Sequence, residues 1–439
     1  RRELSFLRHH FNHEISRPQG PRRMKLCELP VDQPLLVGFG SGYDLLVIWP
    51  YLRAMALETG GFPVVLNGES SFDASALRSG LVVDKDFRYV FTGDIPLAAP
   101  NGSDHSAARR RCLAALRTGS VLPKVLQNPL LSFQFEFLWD RLIPMALDAA
   151  RRAVNFFARY RTAVYLDDYC AGPANRAWTE TGNLAGIPTV TVPHGAVNLL
   201  EFYDFNSRWA FAWGELGRKS WGLGYPERRD HIIVSGNPTL ESIRPIDVAT
   251  VESLRNTVLL LTGGFLHQVW TDMDLRGFVS TWEGIARIAR QRPSIRFIVK
   301  PHPSFRDLGD WYRNLICKES LPNVEVVDNQ KLEDLLSSVF LGVLVGKPGT
   351  AGLVTALAGV PFVYLDTMLC RDVIGYSIWC NDNGVQRLTS STQLAEIIDR
   401  AYSSQEERNE LLEQNHRFLE SYSCPFQPAE VRSRIGILA

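Results

Sequence analysis

The sequence predicts an α/β protein built from two doubly wound domains with a cleft between them. Short, continuously apolar runs alternate with helical stretches, this alternation starts twice along the chain, and 439 residues are too many for one ordinary core. Because the apolar runs are continuous, each sheet should be parallel and covered on both faces. Ligands of such sheets bind beyond the carboxyl ends of the strands, so residues at those ends are the candidates for function.

The composition excludes several classes of protein. Lys plus Arg and Asp plus Glu are both 47, so there is no overall basic field to hold nucleic acid. No apolar run reaches the ~18 residues that a membrane-spanning helix needs. The seven cysteines are scattered without a CxxC pair, and the nine histidines show no HExxH spacing. These patterns predict reduced thiols, a cytoplasmic location and no structural metal.

The elements justify the prediction in order along the chain. Residues 1–30 are rich in Arg and His and predict a helical, basic arm followed by a linker. This arm is expected to pack on the protein, with a contact to anionic lipid at the inner face of the membrane or to a partner enzyme as the alternative. Residues 31–240 form the first predicted domain, which opens with a βαβ unit around a Gly-rich turn.

Further elements complete the two domains. The stretch "DRLIPMALDAARRAVNFFARY" has the clearest helical periodicity of the middle region, and "TAVYLDDY" and "IPTVTVPHG" read as buried strands. Residues 241–415 form the second predicted domain, which starts at "NTVLLLTGGF" and continues through "RFIVKPHP" and "VFLGVLVGKPGTAG". Residues 416–439 are predicted to be a C-terminal helix and tail.

Three strand ends of the first domain carry candidate residues. The turn "VGFGSGYD" is interpreted as a ligand loop or, equally, a plain tight turn. One of the two acids of "LDDY" is expected to be a general base, and the other a helix N-cap. The histidine of "VPHGAVN" is expected to polarise a substrate oxygen or hold a carboxylate, or alternatively to bond its own loop. The candidate residues are Gly38, Gly40, Gly42, Asp167, Asp168 and His194.

Three strand ends of the second domain favour a phosphate ligand. In "KPHPSF" the prolines restrict the backbone on both sides of a histidine, and the neighbouring lysine adds positive charge. "GKPGTAG" opens a helix of small residues whose free N–H groups attract anions, with its threonine as the expected N-cap. "LTGGF" offers further glycines. The candidate nucleotide-binding residues are Gly263, Gly264, Lys300, His302, Pro303, Gly349 and Thr350.

The motifs "LDDY", "KPHP" and "GKPGTAG", in this order across about residues 34–400, resemble those of bacterial GT-B glycosyltransferases that use CMP-activated acidic sugars. These are the sialyltransferases and Kdo transferases of capsule and lipopolysaccharide synthesis. The resemblance implies the GT-B fold, with two Rossmann-like domains and an interdomain cleft. It implies that Asp167 or Asp168 is the base or nucleophile, and that His302 and Thr350 contact the CMP phosphate. Tyr169 stands where the family often has glycine, which leaves the donor sugar and the stereochemical course open.

These features predict a metal-independent glycosyltransferase without a cofactor. It would move an acidic sugar of the Kdo or sialic acid type from a CMP donor to a glycan or lipid-linked glycan acceptor. "PHGAVN" and "VSGNPTLESI" also resemble CDP-alditol phosphotransferases and sugar-nucleotide 2-epimerases, which share the fold. A non-catalytic docking module is the alternative from another class.

Overall fold

The computed structural model describes most of the chain beyond the N-terminal arm. The described residues are 22–40, 44–67, 86–98, 137–168, 172–193, 195, 206–246, 256–262, 275–302, 307–328, 330–346, 348–366 and 378–436. Within these ranges, none of the helices combines the length and apolar character that crossing a lipid bilayer requires.

The first sheet contains eight parallel strands, which are β1 Arg22–Arg23, β2 Leu35–Gly40, β3 Phe62–Asn67, β4 Arg88–Phe91, β5 Thr162–Asp167, β6 Thr189–Thr191, β7 Trp209–Ala212 and β8 Ile232–Val234. They lie in the order β1-β4-β3-β2-β5-β6-β7-β8. The helices of this domain are α1 Asp44–Thr59, α2 Ile143–Arg159, α3 Pro173–Leu184 and α4 Glu215–Gly224. Every residue of β2 is buried, as expected for a central strand covered on both faces.

The second sheet contains six parallel strands, which are β9 Thr257–Thr262, β10 Arg296–Pro301, β11 Val324–Val326, β12 Val339–Val345, β13 Phe362–Leu365 and β14 Arg387–Leu388. Their order is β11-β10-β9-β12-β13-β14. The helices of this domain are α5 Leu275–Gln291, α6 Asp307–Glu319, α7 Leu332–Leu335, α8 Thr350–Leu357, α9 Ser391–Ser403 and α10 Gln405–Tyr422, and they are followed by the last helix of the chain, α11 Pro428–Ile435. Numbered within the sheet, the order is 3-2-1-4-5-6, which is the doubly wound arrangement that binds nucleotides.

The end of the chain returns from the second domain to the first. Helix α10 buries Phe418 and Tyr422 in an apolar cluster with second-domain residues. The chain then crosses to the first sheet, where Cys424 N donates to Trp213 O at 2.8 Å. Val431 and Ile435 of α11 are buried in the first-domain core, against α1. The predicted C-terminal tail therefore divides: α10 packs on the second domain and α11 on the first.

One local expectation differs from the structure. The predicted basic arm covers residues 1–30, but Arg22–Arg23 forms β1 and pairs in parallel with β4. Met24, directly after this strand, is buried in the core. The end of the arm is thus part of the first sheet, because it adds main-chain hydrogen bonds to an edge strand.

Candidate functional site

Each sheet has one point where the strand order reverses, and the predicted motifs lie beside both points. In the first sheet the reversal falls between β2 and β5, and in the second between β9 and β12. Connections leave these neighbouring strands in opposite directions, so a crevice opens beyond their carboxyl ends. The "LDDY" motif ends β5, and the loop that begins at Gly346 follows β12.

The two crevices face each other. A Cβ atom placed on Gly195, in the loop after β6, would lie 3.4 Å from Oγ1 of Thr350, the first residue of α8. Strand β6 pairs with β5, so this loop emerges next to the acids of "LDDY". The second-domain helix start and the first-domain strand ends therefore form one site, as the predicted cleft requires.

The loop before α8 has the geometry of an anion site. Gly346 has φ +83°, a left-handed conformation that favours glycine, and it turns the chain sharply out of β12. Gly349, rather than the predicted Thr350, is the N-cap, and it supplies no side-chain cap hydrogen bond to the start of α8. Thr350 is instead the first helical residue, so its hydroxyl lies beside these N–H groups. Such a helix start carries about half a positive charge and attracts phosphate.

The two adjacent acids are in different situations, although both are completely buried. Asp167 accepts hydrogen bonds from Asn175 Nδ2 at 3.0 Å and from Thr179 Oγ1 at 3.3 Å, both on α3. Asp167 thus fixes α3 through side chains, whereas the N-cap of α3 is Gly172 and not the predicted acid. Asp168 follows the last residue of β5, at the edge that faces the cleft.

The three glycines of the first turn do not act together. Gly38 lies inside β2, where an added Cβ would be 2.4 Å from Cγ2 of Ile48 on α1. Glycine is required there for close packing of helix on strand, so the structure gives Gly38 a structural role instead of the predicted ligand contact. Gly40 is the last residue of β2, at the reversal point. Gly42 lies outside the described residues.

The "KPHP" corner separates its two polar residues. Lys300 is only 9 % exposed, and its Nζ donates to the main-chain oxygen of Asp328, after β11, at 3.3 Å. Burial lowers the pKa of Lys300, and the Asp328 carboxylate opposes this shift. His302 is exposed directly after β10, and its backbone N donates to Thr262 O at 3.0 Å. Lys300 thus bonds toward β11, on the far side of β10 from β9, while His302 is tied to the end of β9 beside the reversal point.

The remaining candidates fall on positions without a structural description. His194, Gly263, Gly264 and Pro303 lie outside the described residues, and so does Lys347 of the glycine loop. Across the described ranges, no group of three or more His, Cys, Asp or Glu side chains is arranged to hold a metal ion.

Two polar pairs at the second sheet's carboxyl edge were not predicted. Thr262 Oγ1 and Tyr312 OH are 2.7 Å apart, and burial raises the pKa of Tyr312. Arg387 Nε donates to Asp366 Oδ2 at 2.9 Å, and the Asp366 side chain is almost completely buried. For the second pair, the sequence signal is an acid directly after the buried strand "FVYL".

Solved structures resemble this chain over most of its length. A UDP-N-acetylglucosamine 2-epimerase aligns with a TM-score of 0.54 and 11% identity over 92% of this chain and 94% of that chain. Anabaena Alr3699/HepE in complex with UDP and glucose gives 0.52 and 10% identity, over 92% and 98% of the two chains. The UDP-GlcNAc 2-epimerase from Neisseria meningitidis, bound to UDP-GlcNAc, gives 0.50 and 14% identity over 92% and 98%.

These likenesses concern architecture. No protein-family model and no curated protein sequence matches the chain. At 10–14% identity the structural likeness shows the fold alone. The predicted α/β architecture of two doubly wound domains, the GT-B fold, is confirmed.

Proposed function

We propose that this protein is a nucleotide-sugar enzyme that holds the nucleotide phosphates at the start of α8 and the sugar against the first sheet. The observation that carries the proposal is the 3.4 Å approach of the Gly195 Cβ position to Thr350 Oγ1, which joins the two crevices. A ligand held by the second domain thereby presents its sugar to the strand ends of the first.

Thr350 and the N-terminal end of α8 bind the phosphate in this proposal. The helix dipole and hydrogen bonds to charged oxygen atoms favour an anion at this position. His302, exposed at the end of β10, is the second proposed phosphate contact. Lys300 is proposed to stabilise the "KPHP" loop, because its Nζ already donates a hydrogen bond to Asp328 O.

The proposed nucleotide is uridine diphosphate rather than CMP. Structures of the same fold have been solved with UDP or UDP-GlcNAc bound. A pyrophosphate also presents more charged oxygen atoms to the glycine loop and helix start than the single phosphate of a CMP sugar does.

The proposed reaction is inversion at C2 of a UDP-linked sugar. The C2 proton is not next to a carbonyl, so its removal requires the C2–H electron pair to form a C1–C2 double bond while the C1–O bond breaks and UDP leaves. UDP then adds back to C1 while a proton is returned to the opposite face of C2, so the reaction needs one group that removes a proton and one that returns it. Asp168 is the proposed base, because both carboxylate oxygens of Asp167 accept hydrogen bonds from α3. His194 is the proposed partner for proton return, since it directly precedes Gly195 at the cleft.

Transfer of the sugar to an acceptor is the second candidate reaction. The sequence motifs "LDDY", "KPHP" and "GKPGTAG", in the order found in the sugar transferases, favour it. In that reaction Asp168 would deprotonate the acceptor hydroxyl, and the helix start would stabilise the leaving nucleotide.

Two measurements test the proposal. Isothermal titration with UDP, UMP, CDP and CMP should show the tightest binding for UDP. If CMP binds most tightly, the result would favour a transferase that uses a CMP sugar. If no nucleotide binds, the result would favour a non-catalytic docking module. Incubation with UDP-GlcNAc alone in D₂O, followed by proton NMR, should show deuterium entering C2. Bound UDP-GlcNAc that stays unchanged at C2 would favour transfer to an acceptor.

A matched variant localises the nucleotide. Thr350→Ala should weaken UDP binding about tenfold or more, because a hydrogen bond to a charged group is worth about 1.5–3 kcal/mol. Thr281→Ala removes a helical threonine hydroxyl that bonds Gly277 O within α5, and it should leave the affinity unchanged. Equal UDP affinities of the two variants would contradict the proposal that the nucleotide binds at the start of α8.

A further inference from the structure

The motif "SGNP" follows β8 and contains a buried amide that the proposed chemistry does not use. Asn237 is 5 % exposed and lies three residues beyond the last residue of β8. All strands of this sheet are parallel, so Asn237 lies at the same carboxyl edge as Asp168 and the loop of Gly195.

The orientation of this amide is determined by one hydrogen bond. Thr239 N donates to Asn237 Oδ1 at 2.9 Å, which closes a local turn. The oxygen must therefore face Thr239, and the Nδ2 group faces away from the turn. Among the residues that the structure describes, no acceptor lies within hydrogen-bonding distance of Nδ2. The N–H groups of Nδ2 are therefore available to a ligand or to water.

The surroundings place this amide beside the proposed sugar site. Leu240, three residues later, packs in one apolar cluster with Leu353 of α8, the helix that begins at Thr350. Strands β6 and β8 are separated by β7 alone, so their ends are roughly 10 Å apart at ~4.8 Å per strand. A sugar that extends from a phosphate at α8 along this edge would come within reach of Asn237.

We infer that Asn237 contacts the sugar of the bound nucleotide sugar, and that its Nδ2 donates a hydrogen bond to a sugar hydroxyl or carbonyl oxygen. The inference rests on the proposed function and adds a specificity-determining residue to it. The turn fixes the side chain before the ligand arrives, so little conformational entropy is lost on binding. Neutral oxygen atoms are the assigned acceptors because the phosphates are held by the second domain.

The test compares two ligands and three proteins. UDP and UDP-GlcNAc are titrated into wild type, Asn237→Ser and Asn237→Asp. Both replacements keep an oxygen that can accept from Thr239 N, but neither has the amide donor. UDP-GlcNAc should bind each variant about 3- to 10-fold more weakly than wild type, the range for one lost hydrogen bond, while UDP binding and the melting temperature of Asn237→Ser stay unchanged.

Each other outcome has a defined meaning. UDP-GlcNAc binding within twofold of wild type in both variants overturns the role of Asn237 and leaves the proposed function in place. Equal weakening of UDP and UDP-GlcNAc in Asn237→Ser overturns the sugar assignment in favour of a phosphate contact. Wild type that binds neither ligand overturns the proposed function and this inference together. Asn409→Ala, an exposed amide on α10, is the control and should bind both ligands as wild type does.

Discussion

Replacing Gly236 by alanine should loosen the return of the chain from the second domain to the first. Gly236 has φ +82°, and a Cβ there would lie 2.4 Å from Pro425 O and 2.5 Å from Cys424 O. These are backbone atoms, which cannot rotate away as a side chain can. The substitution therefore displaces residues 423–427, which we call the crossing segment, from the edge of the first sheet.

The magnitude follows from what the crossing segment holds in place. A left-handed backbone costs alanine about 1–2 kcal/mol. Two main-chain hydrogen bonds, Cys424 N to Trp213 O and Gln427 N to Ser235 O, contribute about 1 kcal/mol each. Partial exposure of Val431, which is completely buried in the first-domain core, adds about 1–2 kcal/mol. We expect Gly236→Ala to lower the free energy of unfolding by about 4–6 kcal/mol.

Urea-induced unfolding measures this loss, and Gly186→Ala is the matched control. Gly186 has φ +74°, but a Cβ there would have no atom within 4 Å, so only the left-handed backbone is penalised. The control should lose about 1–2 kcal/mol. If both variants lose the same free energy within about 0.5 kcal/mol, the steric argument for the crossing segment is refuted. Limited trypsin digestion should also cleave α11 faster in Gly236→Ala than in Gly186→Ala.

Three further predictions concern the site. Asp168→Asn should reduce turnover of the nucleotide sugar more than a hundredfold with little change in melting temperature. Asp167→Asn should instead lower the free energy of unfolding by about 1–3 kcal/mol, because it disturbs two hydrogen bonds of a completely buried side chain. The opposite pattern would exchange the two roles. His302→Ala should weaken UDP binding without loss of stability, as seen by titration and thermal unfolding, and an unchanged affinity would exclude a phosphate contact. The pKa of Lys300 is lowered in the fold, so the unfolded chain binds more protons between that pKa and 10.5, and stability from this group rises with pH in that window. Urea titrations across the window should show a smaller rise in Lys300→Met than in wild type, and identical pH profiles would contradict the shift.

The order of elements was predictable because its signals are local. Continuous apolar runs such as "NTVLLLT" become buried central strands whatever their neighbours are, and the strands end where glycine, proline and polar residues begin. The Rossmann-like alternation, the parallel sheets and the positions of Asp168 and Thr350 at element boundaries all follow from this pattern. The exchange of Thr350 for Gly349 as N-cap shows that such boundaries shift by one residue.

The roles of single residues depended on neighbours that are distant in sequence. Lys300 looked like a phosphate ligand, but β11 lies beside β10 and supplies the Asp328 oxygen that its Nζ bonds. Gly38 looked like part of a ligand loop, but α1 packs too closely on β2 for any side chain. A local sequence pattern predicts neither the order of the strands in a sheet nor the distance between a helix and the strand it packs on.

The sequence by itself determined that the chain forms two doubly wound sheets with polar residues at their strand ends, because hydrophobic periodicity acts over a few residues. Only the tertiary structure decided that Gly195 meets Thr350, that Asp167 is committed to α3, and that α11 packs on the first domain. These contacts join residues that are eight to several hundred positions apart in the sequence. They depend on how helices, strands and domains pack on one another, so hydrophobic periodicity along the chain does not predict them.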